Sequence, residues 1–323
     1  MNHLVQGNER TGKIGQDKPA LKKKLEEALK RKVQVIINPA SGRPKPVLHI
    51  LNRVFNRAEV DWDISLTKRR GDAERFARAA VANGADIVAA NGGDGTVMEV
   101  AQGLLGSPVP LAILPGGSAN LMAVELGIPK DLEKAAEIAV DLDSATRQVD
   151  VGLLGESYFL LRVGIGFGAR KVAYADRKLK NRFGVLAYSV AAVKAVKDTK
   201  SAHYRIMLDG NLVEADGLTC LIDNAGNMGI QGFQPAKNIS VSDGLLDVLL
   251  VGSSGMAKAF TSAPSLFDTT KAEPVIEHWQ ARQIAIEVDP PQPVQVDGEM
   301  VDDTPVRAEV LPGALKVIVP KPA

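Results

Sequence analysis

The chain has 323 residues, 45% of them apolar, ample for a sizeable core and, at roughly 100–200 residues per domain, pointing to two domains. Its 39 Lys and Arg nearly balance 38 Asp and Glu for a net charge of +1, so no global field steers it toward nucleic acid. One cysteine, Cys220, excludes a disulfide framework and a cysteine-based zinc site and fits a reducing cytoplasm. No apolar run nears the ~18–20 residues of a membrane span, and the N-terminus shows no apolar secretory core.

Residues 1–32 read as a basic tail, in which Lys22–Lys24 and Lys30–Lys32 flank a short helical pattern (Leu21, Leu25, Ala28, Leu29). Most charge runs are solvated faces, although a basic amphipathic segment can also touch anionic lipid. From 33 to 147 the pattern alternates. The β-branched run Val33–Ile37 predicts a buried strand that stops at Asn38-Pro39. A helix follows over Val47–Arg57, a strand over Asp61–Thr67, and a helix that Asp72 can cap, running to Asn83. Next come a strand at Ile87–Ala90, a helix from about Thr96 to Leu104, the strand Leu111–Leu114, and a helix from about Asn120 to Leu126. Short apolar strands alternating with amphipathic helices predict an α/β domain with a parallel, Rossmann-like sheet.

The style changes over 148–323. Tyr158–Val163 predicts a strand and Arg182–Val196 a helical stretch. Tyr204–Leu208 and Leu212–Glu214 around Asp209-Gly210 predict a hairpin, because Asp-Gly suits the primed turns. Further strands are expected at Leu218–Asp223, Leu245–Val251, Gln283–Val288, Val294–Val296, Val306–Leu311 and Ala314–Val319. This half reads as a β-rich antiparallel sandwich whose last strand is free to return toward the first domain.

The 30 glycines cluster where chemistry would use them. Three turns end predicted strands of the first half: Asn38-Pro39-Ala40-Ser41-Gly42, Asn91-Gly92-Gly93-Asp94-Gly95-Thr96 and Leu114-Pro115-Gly116-Gly117-Ser118-Ala119-Asn120. In open α/β sheets ligands bind outside the carboxyl ends of the strands, and glycine lets backbone N–H groups approach a phosphate. The two later turns open into helices, whose N-termini favour an anion. Hydroxyls at Ser41, Thr96 and Ser118 add donors. Turn chemistry and a capping box (Thr96-Val97-Met98-Glu99) account for single loops but not readily for three on one edge. Asp94 stands out, since a carboxylate among phosphate-binding glycines needs a task, either accepting a hydroxyl proton or fixing a metal–water network. Its plainer alternative is to cap its helix.

Two glycine motifs carry less. Gly7–Lys13 has P-loop spacing, but Ile14 replaces the hydroxyl residue and no strand precedes it. Gly164-Ile165-Gly166-Phe167-Gly168-Ala169 fits a dinucleotide fingerprint, yet Asn181 and Arg182 occupy the place of the ribose-binding acid. In the second half, Ser240–Asp247 and Val296-Asp297-Gly298-Glu299 are acidic turns. They read either as plain Asp-Gly reversals or as a hard-cation site and an acid/base carboxylate facing the first domain.

Taken in order, NPASG (38–42), GGDGT (92–96), LPGGSAN with LGIP (114–120, 126–129), VGIGF (163–167), SDGLLDV (242–248) and VDGE (296–299) resemble the diacylglycerol kinase catalytic-domain family. The likeness is to its bacterial soluble lipid-kinase branch, related to sphingosine and ceramide kinases, and spans about Val33 to Val319. It implies a nucleotide-binding α/β domain and a β-rich domain with ATP between them. Asn38, Pro39, Ala40, Ser41, Gly42, Thr67, Gly92, Gly93, Asp94, Gly95, Thr96, Gly117 and Ser118 would then contact ATP. Glu299 matches the proton acceptor, with Asp94 a competing or cooperating base. Ser240, Asp243 and Leu245 match a structural Mg²⁺ site, the outer two through backbone carbonyls. Arg43-Pro44-Lys45-Pro46 and Leu121-Met122 depart from the family pattern, and Ser118 replaces a threonine.

The resemblance implies ATP-dependent transfer of the γ-phosphoryl group to a lipid hydroxyl, diacylglycerol first, by a cytoplasmic enzyme visiting the membrane peripherally. Lys171, Arg177, Lys178, Lys180 and Arg182 could meet anionic headgroups or equally line a solvated helix face. The resemblance leaves room for a homodimer, and the charge balance for no nucleic-acid partner. The alternatives are an NAD kinase-like small-molecule kinase and a catalytically silent nucleotide- or lipid-binding regulator.

Overall fold

The computed structural model describes residues 30–42, 46–166, 201–228, 236, 238–252 and 276–321. Most of the basic tail, Arg43–Lys45, the helical stretch expected from Arg182 and the five basic residues between Lys171 and Arg182 lie outside them.

The first half opens on β1 (Lys32–Ile37), α1 (Val47–Arg57), β2 (Asp61–Leu66), α2 (Asp72–Ala82), β3 (Ile87–Gly92), α3 (Asp94–Leu104) and β4 (Leu111–Pro115). Strands β2, β1, β3 and β4 lie side by side in parallel. Every residue of β3 and β4 is buried, as a parallel sheet covered by helices requires. Helix α1 turns Leu51, Val54 and Phe55 inward, and Phe55 meets Trp62 of β2 edge-on at 5.4 Å between ring centres. Helices α2 and α3 approach closely because Gly103 has no Cβ, which would lie 2.6 Å from that of Ala77.

Two elements escape the sequence reading here. After the short α4 (Leu121–Glu125), α5 (Leu132–Val140) starts at Asp131, whose side chain accepts the Lys134 N–H. It ion-pairs with α1 through Arg53–Glu133 and Arg57–Glu137. Strand β5 (Ala145–Leu154) then runs through residue 147. Gly127-Ile128-Pro129 reads as an ending, although Leu132, Ala135, Ala136, Ala139 and Val140 carry a helical period.

The second half holds β6 (Ser157–Phe159), β7 (Arg162–Gly166), β8 (Ala202–Leu208), β9 (Asn211–Gly217), β10 (Thr219–Asp223), β11 (Leu246–Val251), β12 (Ile276–Ala281), β13 (Gln283–Asp289), β14 (Pro293–Val296), β15 (Glu299–Asp303) and β16 (Val306–Val319). One sheet, in the order β12-β11-β10-β7-β14-β15, is antiparallel throughout. The rest of the antiparallel strands extend the first sheet, in the order β2-β1-β3-β4-β16-β13-β8-β9. The two sheets pack with strict alternation: Tyr204, Ile206 and Leu208 point inward from β8 while His203, Arg205 and Met207 point out. Cys220 lies in that core, where burial pushes its thiol up and leaves it protonated.

Strand β16 joins the halves. Expected as two strands, it is one of 14 residues with an irregularity between Leu311 and Leu315, where Gly313 sits at φ +58°. It pairs with β13 at its start, with β4 in parallel near its end, and with β5 along its length. The dinucleotide-like Gly164 and Gly166 lie within β7, flanked by β10 and β14, so they form a strand rather than a phosphate turn. Among the described residues, no helix is long and apolar enough to cross a membrane.

Candidate functional site

Because β2, β1, β3 and β4 are parallel neighbours, the segments following them share one edge of the sheet. This brings Asn38–Gly42, Thr67, Gly92–Thr96 and Gly117–Ser118 together, as the sequence anticipates. Hydrogen bonds stitch the segments: Asn38 N–H to Asn91 O at 2.9 Å, Thr67 N–H to Ile37 O at 2.9 Å, and Gly116 N–H to Gly92 O at 2.9 Å.

Several of the glycines are explained by loop against loop. A Cβ on Gly42, already at φ +68°, would lie 1.9 Å from the Gly116 carbonyl oxygen. One on Gly117 would lie 2.5 Å from the Gly93 Cα; one on Gly92 would lie 2.5 Å from the Thr96 side chain within the same loop. Gly95 differs. In the exposed first turn of α3, its missing Cβ would meet nothing within 4 Å.

The hydroxyls divide similarly. Thr96 is buried, and its Oγ1 accepts from the Asn38 side-chain amide at 3.0 Å. Ser41 Oγ accepts the Gly93 N–H at 3.3 Å. Ser118 stays exposed. Asn120, at φ +52°, clamps its loop by accepting the Gly117 N–H and donating to the Gly117 carbonyl. The amide of Asn91 ties β3 to Leu114 of β4.

The capping expectations need correction. Helix α3 begins at Asp94 after Gly93, and no side chain caps it. Thr96 is inside the first turn, and Glu99 reaches α2 instead, accepting the Ala73 N–H at 3.1 Å. Asp94 is not an N-cap; its Oδ1 accepts the Met122 N–H of α4 at 3.2 Å, fixing the carboxylate between the second and third loops. Asp72 likewise follows the cap of its helix, Gly71, and braces the preceding loop: Oδ2 accepts the Lys68 and Arg69 N–H groups and Oδ1 the Arg75 guanidinium. The Arg75 bond, with those N–H groups, pulls its pKa down to about 2.

The other half contributes Glu299, which follows a reversal in which Asp297 and Gly298 have φ of +46° and +90°. Asp297 holds that turn: its carboxylate accepts the N–H groups of Leu160, Leu161 and Arg162 at 3.0, 3.1 and 2.8 Å. Burial outweighs those bonds and pushes its pKa up to about 6. Glu299 itself is exposed, and its Oε2 meets Arg70 Nη1, from the loop after β2, at 2.6 Å. The second half's carboxylate is therefore tied to the edge of the first half's glycine loops.

Around the expected cation site, Asp243 Oδ1 accepts the Leu245 N–H, and the Ser240 hydroxyl accepts the Ser242 N–H. Beneath them lies Asp150, buried and without a signal in the sequence. It takes the Gly244 and Gly313 N–H groups at 2.7 Å each, joining this turn to the irregularity of β16. Burial raises the Asp243 pKa, and the Asp150 charge adds to it. An Asp243 carboxylate with a second carboxylate, Asp150, near it offers oxygen donors of the kind a hard cation takes, although among the described residues no three acidic, histidine or cysteine side chains gather there. Sequence reasoning also missed a polar row across neighbouring strands: Arg162, Asp223, Asp247 and Gln280 stand in register on β7, β10, β11 and β12.

Both halves of the chain match known families. Residues 32–154 match the diacylglycerol kinase catalytic domain and residues 162–319 the YegS C-terminal NAD kinase beta sandwich-like domain. The chain belongs to the diacylglycerol kinase family. It is 30% identical to a diacylglycerol kinase of Mycobacterium tuberculosis over 301 residues, covering 90% of this chain and 96% of that protein. It is 27% identical to one of Bacillus subtilis over 299 residues, covering 90% and 97%. A crystal structure of a diacylglycerol kinase from Bacillus anthracis superimposes with a TM-score of 0.71 at 27% identity, covering 90% and 97%. Membership in this lipid-kinase family extends over both halves of the chain.

Proposed function

We propose that this protein transfers the γ-phosphoryl group of ATP to a hydroxyl of a membrane lipid, with diacylglycerol as the first acceptor to test. One observation carries the reading: four strand-end segments converge on one edge, and Glu299, from the other half, is ion-paired to that edge through Arg70. Phosphoryl transfer demands mainly positioning and charge neutralisation. Asn38–Gly42, Thr67, Gly92–Thr96, Gly117 and Ser118 would hold the nucleotide, its phosphates before the first turn of α3. Gly95 fits that task, since nothing of the protein occupies the space a Cβ would take.

In the reaction the lipid oxygen attacks the γ-phosphorus, the bond to the departing ADP oxygen breaks, and the hydroxyl proton passes to Glu299 or Asp94. Mg²⁺ accompanying the phosphates would neutralise their charge. A second ion, held by Asp243 and the carbonyls of Ser240 and Leu245, would fix the turn beside β16 in a structural role. The acceptor implies that the enzyme meets the membrane from the cytoplasm, at its surface.

The test is incubation with labelled ATP, Mg²⁺ and separate acceptors: diacylglycerol, other lipids bearing a free hydroxyl, and NAD. Label should enter lipid, and Asp94→Ala and Glu299→Ala should each lower turnover by about 10²–10⁴-fold, the usual range for a positioned acid–base group. Label in NAD and not in lipid would replace this reading with a small-molecule kinase. ATP binding without transfer to any acceptor would leave a regulator.

A further inference from the structure

The run Lys68-Arg69-Arg70-Gly71-Asp72, between β2 and α2, has no place in the glycine-loop reading, yet it supplies the ion pair that reaches across to Glu299. We infer that Arg70 is a positioning residue for the phosphoryl transfer, holding the Glu299 carboxylate over the strand-end loops. This rests on the reading of Glu299 as proton acceptor given above.

An exposed ion pair by itself does little, because solvent screens it and two long side chains must be ordered to form it. Arg70 and Glu299 are both well exposed, at 82% and 57% of their side-chain surface. Here, however, each partner hangs from a turn braced by a buried carboxylate. On one side Asp72 gathers the N–H groups of Lys68 and Arg69, and Gly71 at φ +82° turns the chain into α2. On the other, Asp297 gathers three N–H groups behind the Asp297-Gly298 reversal that presents Glu299. Much of the ordering is thus done by backbone hydrogen bonds before the side chains meet.

The geometry also divides the carboxylate. Oε2 faces the guanidinium, which sets the direction of the carboxylate, and Oε1 is the oxygen that would accept a proton from a hydroxyl held over the loops. A lysine could keep the charge in place, but with a point charge rather than a planar fork, and so with less control of direction.

Steady-state kinetics with ATP and diacylglycerol in mixed micelles separate this role from others, using Arg70→Ala, Arg70→Lys, Glu299→Gln and the double variant Arg70→Ala/Glu299→Gln. Arg70→Ala should lower kcat about tenfold, the scale of a displaced reacting group, while KM for ATP stays within about twofold. Arg70→Lys should recover most of the loss. In the Glu299→Gln background, Arg70→Ala should change kcat by less than about twofold, because the group it positions is gone. The inference falls if Arg70→Ala keeps wild-type kcat, if its effect is confined to KM for ATP, or if the tenfold loss persists in the Glu299→Gln background. Undiminished turnover in Glu299→Gln would instead overturn the assignment of Glu299, whatever Arg70 does.

Discussion

The two halves build their turns by opposite means. In the first, the loops after β1, β3 and β4 are shaped by what is missing: at Gly42 and Gly117 a single added carbon would collide with a neighbouring loop, and at Gly92 with Thr96 of its own loop. In the second, turns are shaped by buried carboxylates that collect backbone N–H groups, Asp150 under Gly244 and Gly313, and Asp297 under the Glu299 hairpin. The first device leaves a surface of close-packed backbone around the Asp94 carboxylate, where N–H groups can approach a phosphate. The second sets carboxylates inside the protein, and burial pushes the pKa of Asp297 up to about 6.

Glycine substitutions test the first device most sharply. Gly42→Ala combines a strained φ with a 1.9 Å collision against a backbone oxygen, so chemical denaturation should show a loss of roughly 2–5 kcal/mol. Turnover should be lost with it. Gly95→Ala should do the reverse. With open space around the new methyl and a better helix former in α3, stability should hold or rise by up to about 1 kcal/mol. Turnover should nevertheless fall, because the methyl faces the proposed phosphate site. Equal losses in both variants would erase the distinction between packing glycines and ligand-facing ones.

The carboxylates should answer to pH. Burial pushes Asp223 from 3.8 up to about 7, against the pull of Arg162. An acid whose pKa is raised on folding is favoured in its protonated form. Its stabilising contribution is therefore complete below about pH 4 and is lost as pH rises toward 7, by an amount on the order of 4 kcal/mol. Urea denaturation between pH 4 and pH 8 should show this decline, and Asp223→Asn should flatten it. A variant profile parallel to that of the wild type would mean that Asp223 does not titrate in this range.

Asp72 has the opposite sign and the smallest effect. Its pKa is lowered to about 2, so its contribution is present above pH 4 and is lost as pH falls toward 2. The difference in thermal midpoint between wild type and Asp72→Ala should shrink over that interval, and a constant difference would contradict the bracing role.

Much of the first half was legible because its signals are local. Apolar strands, glycine turns at their ends and amphipathic helices recur in order, and the ordered motifs pointed to the family over both halves. The capping expectations failed for a specific reason. Asp72 and Glu99 occur at positions where a helix start could use them, but a nearer claim came from the Lys68–Arg69 backbone and from Ala73. Asp150, Asp223 and Arg70 gave no sequence signal, because their partners come from strands or loops far along the chain.

The composition therefore determined less than the order of the motifs. From sequence alone came the α/β and β-rich division, the strand-end glycine loops and the resemblance to lipid kinases, all of which depend on residues close together in the chain. Tertiary structure decided that the antiparallel strands extend the parallel sheet through β16 and that most loop glycines serve packing. It also placed Glu299 against the first half through Arg70. Those outcomes depend on strand register and on which distant groups meet, and pairing between remote segments leaves no periodic trace in a sequence.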